Sequence, residues 1–298
     1  MKNQATARLE RRLGDWARAR LPAGLAEFVM FVLKQAWAAL FGGLFVIAII
    51  ASRLIWQDAW ALTRYDGLFL FAISTQVMFL WFGLESWQEA KVIALFHLTG
   101  TVMEVFKLNQ GSWDYPDTGW MEIAGVPLFS GFMYAAIGSY MARVIRIFDM
   151  QFAPYPPFWQ TLVLAGAIYL NFFTHHFGPD IRVILFTATV GVFWRTRIWF
   201  HPGETPRWMP LPVAAFLSAM FIWVAENVGT FTQTWAYPGQ GQFDLVSLGK
   251  LGSWYLLLYV SFVTVTLVTR SALSRDAVMP ISGISRPKSA DARQVDRR

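Results

Sequence analysis

The sequence has no cysteine, and only 15% of its 298 residues are charged. Soluble domains carry about 25% charged residues, so this chain lacks the polar surface that water requires. Without cysteine there is no thiol nucleophile, no iron–sulfur cluster and no thiolate zinc site. Histidine is scarce as well: His97, His175, His176 and His201 are all there are. Imidazole and carboxylate ligands would suit zinc or iron(II), but no HExxH or histidine-box spacing is present. Walker loops, GxGxxG and GxSxG fingerprints are missing too. No metal and no cofactor is therefore expected. What is abundant is apolar: 55% of residues are hydrophobic and mean hydropathy is +0.40. That excludes disorder and a disulfide scaffold and points to an integral membrane protein.

A helix needs about 20 mostly apolar residues to cross a bilayer. Eight stretches read as such spans: Trp37 to Ile55, Leu68 to Leu84, Val92 to Leu108, Val126 to Met141, Phe158 to Phe177, Val183 to Trp194, Met209 to Val228 and Leu251 to Val268. The sixth is short and is expected to continue into Arg195–Trp199. The stretches are apolar all round rather than alternating, which predicts helices and not a barrel. The expected fold is an all-α, polytopic, multi-pass membrane protein.

An even number of spans leaves both termini on one side. That side holds 20 basic and ten acidic residues and the other side five and nine, a balance of +10 against −4. The positive-inside rule makes the terminal side cytoplasmic. The overall charge of +6 thus lies in tails and short loops rather than in a groove, and no nucleic-acid partner is expected. Residues 1–34, with Lys2, Arg8, Arg11, Arg12, Arg18, Arg20 and Lys34, read as a basic amphipathic segment on anionic membrane lipid. No small-residue cleavage site follows a short apolar core, so no cleaved signal peptide is expected. Residues 271–298 form a polar, basic tail, expected to be disordered.

The chain also matches itself. MEVFKLNQGSWDYPDTGWMEI from Met103 aligns without a gap onto AENVGTFTQTWAYPGQGQFDL from Ala225, an offset of 122. Glu104 meets Glu226, Trp113 meets Trp235, and Tyr115-Pro116 meets Tyr237-Pro238. The same offset carries span one onto five, three onto seven and four onto eight. Two parallel four-helix repeats follow, residues 35–148 and 149–270, related by an axis along the membrane normal.

Both W-x-Y-P segments fall in long extracytoplasmic connections, and Glu104 and Glu226 at the outward ends of spans three and seven. An ionisable residue within a span is costly and usually faces a partner or a water-filled cavity. Two at equivalent positions suggest a pair around a shared centre, able to divide general acid and base roles. The structural alternative is that each Glu accepts hydrogen bonds from its own loop's Trp and Tyr and holds the loop down. His97 lies two turns from Glu104 on the same helix face, with side-chain-free Gly100 between them. Asn171 and His175 share a face of span five. These readings make Glu104, Glu226 and His97 candidate catalytic residues. Trp113, Tyr115, Trp235, Tyr237, Asn171, His175 and Asn227 are candidate substrate-binding residues. The other charged residues read more simply. Glu85 and Glu89 are expected in a solvated turn, Asp66 and Asp180 as helix-start acids, and Arg143, Arg146, Arg195 and Arg197 as cytoplasmic anchors. Below His97 the inner halves offer mainly neutral groups such as Gln76 and Ser139, which favours a site open on one side.

The segment FHLTGTVMEVFKLNQGSWDYPDTGWMEIAGVPLFSGFMYAAIGSYMARV, from Phe96, resembles an uncharacterised bacterial integral membrane family, domain of unknown function 817. The resemblance extends from Ala26 to Arg270 and implies the bacterial cytoplasmic (inner) membrane, but no activity. A second, pattern-level resemblance is to membrane carotenoid hydratases and heterodimeric-type lycopene cyclases. They too place an intramembrane Glu before a G-x-W/Y-x-Y segment and a G-[VI]-P, here Glu104, Gly111, Trp113, Tyr115, Gly125, Val126 and Pro127. The cyclases' paired acids beside the proline are absent. This resemblance implies an isoprenoid-like substrate. The expectation is an acid–base enzyme acting on a lipophilic small molecule from the extracytoplasmic side. The alternatives are a proton-coupled transporter and a non-catalytic membrane assembly factor.

Overall fold

Helix starts along the chain are marked by proline or by small hydroxyl residues. Pro22, Pro157 and Pro210 immediately precede helices, where a missing N–H costs nothing. Thr63 caps another by accepting from the Asp66 amide. Ser86 and Glu89 form a reciprocal capping box. The computed structural model describes residues 4–57, 59–203 and 205–275, and the chain is mostly helical. In order it runs α1 (Gln4–Arg20), α2 (Ala23–Ala38), α3 (Leu40–Ile55), α4 (Arg64–Trp81), α5 (Trp87–Asn109), β1 (Glu122–Ile123), β2 (Val126–Pro127), α6 (Phe129–Ile147) and β3 (Gln151–Ala153). It continues with α7 (Phe158–Thr174), α8 (Arg182–Phe193), β4 (Arg197–Phe200), β5 (Arg207–Pro210), α9 (Leu211–Phe231) and α10 (Leu248–Thr266).

Each of the eight apolar stretches contains a helix. By length and composition α5, α9 and α10 can cross a membrane, and α2 with α3 makes a fourth if the pair, bent by 69°, is one span. Leu54, Leu98, Val163, Leu170, Val183 and Phe221 stand exposed on the outer faces of the helices. An apolar exterior of this kind suits acyl chains, not water.

Four expectations change. The sixth stretch does not continue as helix: α8 ends at Phe193, and Arg197–Phe200 is a strand. Twelve residues rise only about 18 Å. Antiparallel β3, β4 and β5 form a small sheet in the order β3-β4-β5, so the fold is not purely α. The N-terminal segment forms two helices, α1 and α2, over residues 4–38. The second packs on α6 and buries Ala26, Met30 and Lys34, while Lys34 Nζ donates to the His201 carbonyl at 2.9 Å. Glu85, Glu89 and Arg143 are buried rather than solvated. Glu85 accepts from Ser139 and Gln76, Glu89 pairs with Arg146 at 2.9 Å, and Arg143 donates to the Trp37 carbonyl at 2.6 Å. Together they knit the α4–α5 turn to α6. Most of the basic tail, residues 276–298, lies outside the described residues.

Packing follows a regular scheme. α3 packs on α4 and α6, α4 on α6, and α5 on α6; α7 packs on α8 and α10, α8 on α10, and α9 on α10. Between the two groups, α6 meets α10, α3 meets α9, and α5 meets α7.

Candidate functional site

The site begins at the ends of α5 and α9, which close alike. Each terminates in a residue of positive φ, Gly111 at 64° and Gln233 at 51°. Ser112 N donates to Lys107 O at 3.0 Å, and Thr234 N to Gly229 O at 2.9 Å. These are Schellman-type closures, which satisfy carbonyls left over at a helix end. Both segments then turn back across the helix ends and pair with each other. Asp114 and Ala236 form an antiparallel bridge with N–H to O distances of 2.9 Å both ways.

That bridge explains the W-x-Y spacing. In extended backbone, residues two apart point to the same side. Trp113 and Tyr115 flank Asp114 and both reach Glu104: the indole Nε1 donates to Oε2 at 2.8 Å and the phenol to the same oxygen at 2.6 Å. Trp235 and Tyr237 flank Ala236 and both donate to Glu226 Oε1, the indole at 3.0 Å. Gly229 makes room, since a Cβ there would sit 2.0 Å from the Trp235 ring. A third donor comes from the next helix in each case. Tyr134 of α6 donates to Glu104 Oε1 at 2.7 Å, and Trp254 of α10 to Glu226 Oε2 at 3.0 Å. Each carboxylate is thus met by three neutral donors. Burial, together with the adjacent carboxylate, raises the Tyr115 and Tyr237 phenols well above their ordinary value, so both remain O–H donors.

Glu104 and Glu226 are 2% and 6% exposed, yet both line a single cavity of about 1380 Å³ between the two helix groups. Its walls are chiefly apolar, from α3, α6, α9 and α10. Exposed Ile47, Phe221 and Val224 form part of its rim. At the other end from the carboxylates it reaches Phe31, Gln35, Met150 and Phe200.

The cavity brings together Glu104, Glu226, Trp113, Tyr115, Trp235, Tyr237, Asn171 and His175. It does not include His97 or Asn227. A Cβ on Gly100 would lie 2.6 Å from the Tyr134 ring, so that ring fills the space expected to be open between His97 and Glu104. His97 instead packs on Phe132, with ring centroids 4.6 Å apart, and against Gly131. Asn227 braces backbone, donating to Trp223 O at 2.7 Å and accepting from Val246 N at 2.9 Å. Asn171 is similarly engaged with Asp180 and the Ile181 amide. Asp180 is held down to about 2 by its hydrogen bond from Arg182, despite some burial. Among the described residues no group of three or more His, Asp or Glu side chains is placed to hold a metal.

Three cations at this end of the cavity went unread in the sequence: Lys107, Arg182 and Lys250. Lys107 lies inside an apolar stretch, which is itself a functional signal; its proximity to His175 and His176 is tertiary. Tyr134 and Trp254 were missed because neither belongs to the aligned segment. Asp66, expected as a helix-start acid, does more than that. Asp66 accepts from the Trp120 and Met121 amides at 3.0 and 2.8 Å, clamping the first long loop to α4. Beside it, Arg64 binds Asp117 of one loop at 2.6 Å and the Gln233 carbonyl of the other at 2.7 Å.

A protein from Bacillus subtilis (strain 168) named "Uncharacterized protein YoaT" is 41% identical to this chain over 242 residues, covering 81% of the chain and 91% of that protein. No solved structure matches the chain. The model of a family described as "Protein of unknown function (DUF817)" matches residues 27–262, which include both carboxylates and both W-x-Y loops, and the chain belongs to that family.

Proposed function

We propose that this is a membrane-embedded enzyme that draws a lipophilic small molecule into the cavity between two parallel four-helix halves and acts on it by proton transfer at Glu104 and Glu226. Eight spans with both termini in the cytoplasm frame the site. The bridge between Asp114 and Ala236, residues 122 apart, supports this arrangement: an antiparallel bridge between equivalent positions has a local two-fold axis. The observation that carries the functional reading is that two equivalent carboxylates line one largely apolar cavity whose rim is exposed and apolar. In a bilayer such a rim faces acyl chains and admits a substrate sideways. Each carboxylate holds a phenol ready beside the cavity, Tyr134 on Glu104 and Tyr237 on Glu226. A proton removed from the substrate at one pair and supplied at the other is general acid–base catalysis.

The test is a deletion strain complemented with wild-type protein or with Glu104→Gln, its lipid-soluble metabolites compared by mass spectrometry. The amide keeps the side chain's shape but does not exchange a proton at neutral pH. With equal protein in the membrane, Glu104→Gln is expected to accumulate the same compound as the deletion. Restoration of the wild-type profile by Glu104→Gln overturns the enzyme reading.

The reach of the cavity to Gln35 and Phe200 favours a second reading, carriage of the molecule across the membrane. Uptake into sealed proteoliposomes without conversion of the compound would select it.

A further inference from the structure

Two ammonium groups share the carboxylate end of the cavity, and neither makes an ion pair with a carboxylate within 4 Å among the described residues. Lys107 is 6% exposed, lies 5.9 Å from the Phe172 ring centroid, and among the described residues hydrogen-bonds only imidazoles, His176 Nε2 at 2.8 Å and His175 Nε2 at 3.3 Å. His175 Nδ1 lies 2.7 Å from the Asn171 carbonyl and so carries the proton there, leaving Nε2 to accept from Lys107. One of the three Lys107 N–H groups is therefore spare. Lys250 comes from α10 and lies over two aromatic faces, 4.0 Å from the Tyr237 centroid and 5.0 Å from that of Trp113. Its Nζ makes no hydrogen bond to a described residue, so none of its donors is committed to an oxygen or nitrogen. The acceptors in the neighbourhood are already engaged. Six donors occupy Glu104 and Glu226, and Asp180 is bound by Arg182 and Asn171. Spare cationic donors above a long apolar cavity match an anionic head on a hydrocarbon body.

We propose that the cavity binds a membrane amphiphile by a singly charged phosphate head, held between Lys250 and Lys107, with its hydrocarbon tail in the apolar remainder. This rests on the reading that the cavity takes a lipophilic molecule and adds what its head must be. A single charge disturbs the local balance least, because Lys107, Arg182 and Lys250 already face Glu104, Glu226 and Asp180. Phosphate fits better than carboxylate. The planar fork that matches a carboxylate belongs to Arg182, and Asp180 fills it at 2.6 Å. What remains is two point-charge ammoniums on different helices, which the spread oxygens of a phosphate can bridge.

The test uses the full chain in neutral-lipid nanodiscs, with binding of added phosphatidylglycerol, diacylglycerol, oleate and inorganic phosphate measured by native mass spectrometry. Wild-type protein is expected to retain phosphatidylglycerol at least tenfold more tightly than diacylglycerol, and inorganic phosphate not at all. Lys250→Met should abolish that preference while leaving diacylglycerol binding unchanged, and Lys250→Arg should keep most of it. Equal binding of phosphatidylglycerol and diacylglycerol overturns the head-group proposal and leaves the lipophilic site intact. Binding of neither lipid overturns both. Tighter binding of oleate overturns the choice of phosphate, and inorganic phosphate binding as well as the lipid overturns the amphiphile. The wild-type comparison decides the matter even if Lys250→Met fails to fold.

Discussion

Glu104 and Glu226 occupy equivalent places but differ in their third donor, and that difference separates their amide variants. A carboxamide has one acceptor oxygen and one NH2. In Glu104→Gln the oxygen can stay with Trp113 and Tyr115, and the NH2 meets the Tyr134 hydroxyl, which can turn and accept. In Glu226→Gln the NH2 meets the Trp254 indole, which only donates. A buried donor left without a partner costs about 1–3 kcal/mol. Glu226→Gln is therefore expected to lower thermal stability in detergent by clearly more than Glu104→Gln. Adding Trp254→Phe to Glu226→Gln should recover part of the loss; equal melting temperatures for the two amide variants would contradict this account. Gly111 offers a second comparison. Its φ of 64° puts an L side chain in the left-handed region, so Gly111→Ala should destabilise by about 1–2 kcal/mol. At this scale the two carboxylates and their loop aromatics were legible, because they recur at one offset. Lys250 was not, because its aromatic partners are distant in sequence and one belongs to the other half.

Among the elements, the two long loops behave as one unit. They bridge each other at Asp114 and Ala236 and share Arg64 as a fastener. Removing the guanidinium strips hydrogen bonds from the Thr232 and Gln233 carbonyls at the end of α9 as well as from Asp117. Arg64→Met is expected to raise proteolysis in both loops together, at 112–121 and 234–246, and Arg64→Lys should not restore protection, since one ammonium cannot serve three directions as a fork does. Cleavage confined to the first loop would mean that the loops are independent. Helix positions were largely readable from apolar runs, and S-x-x-E at Ser86 was a readable cap that the solvated-turn reading of Glu89 passed over. The end of α8 was not readable. Its apolar run continues past Phe193, and pairing with β3 and β5 draws Arg197–Phe200 into a strand. β3 is distant in sequence, and β5 follows only after residues 201–206.

For the molecule as a whole, the lack of cysteine becomes a tool, because an introduced thiol has no background. Ile47→Cys and Phe221→Cys, on the exposed cavity rim, should react with a lipid-soluble maleimide and resist a charged, membrane-impermeant one. Trp120→Cys, in a long loop, should react with the impermeant reagent in intact cells, and Arg195→Cys only after permeabilisation. Rapid impermeant labelling at Ile47→Cys would mean a water-filled opening, and labelling at Arg195→Cys in intact cells would invert the topology. What the sequence by itself determined is the apolar helices, the duplicated Glu, Trp and Tyr, and the excess of basic over acidic residues. Each depends on composition or on neighbours within a few turns of one helix. The tertiary structure alone decided that Tyr134 fills the space above Gly100, that the helix pair bends at Ala39, that the two loops join, and that Lys107 and Lys250 share a cavity with both carboxylates. A cavity is the space left between packed faces, and its lining depends on how every helix is turned about its own axis. Apolar residues on all sides of these helices leave that turn unspecified in the sequence pattern, so it is fixed only when the buried polar groups find their partners.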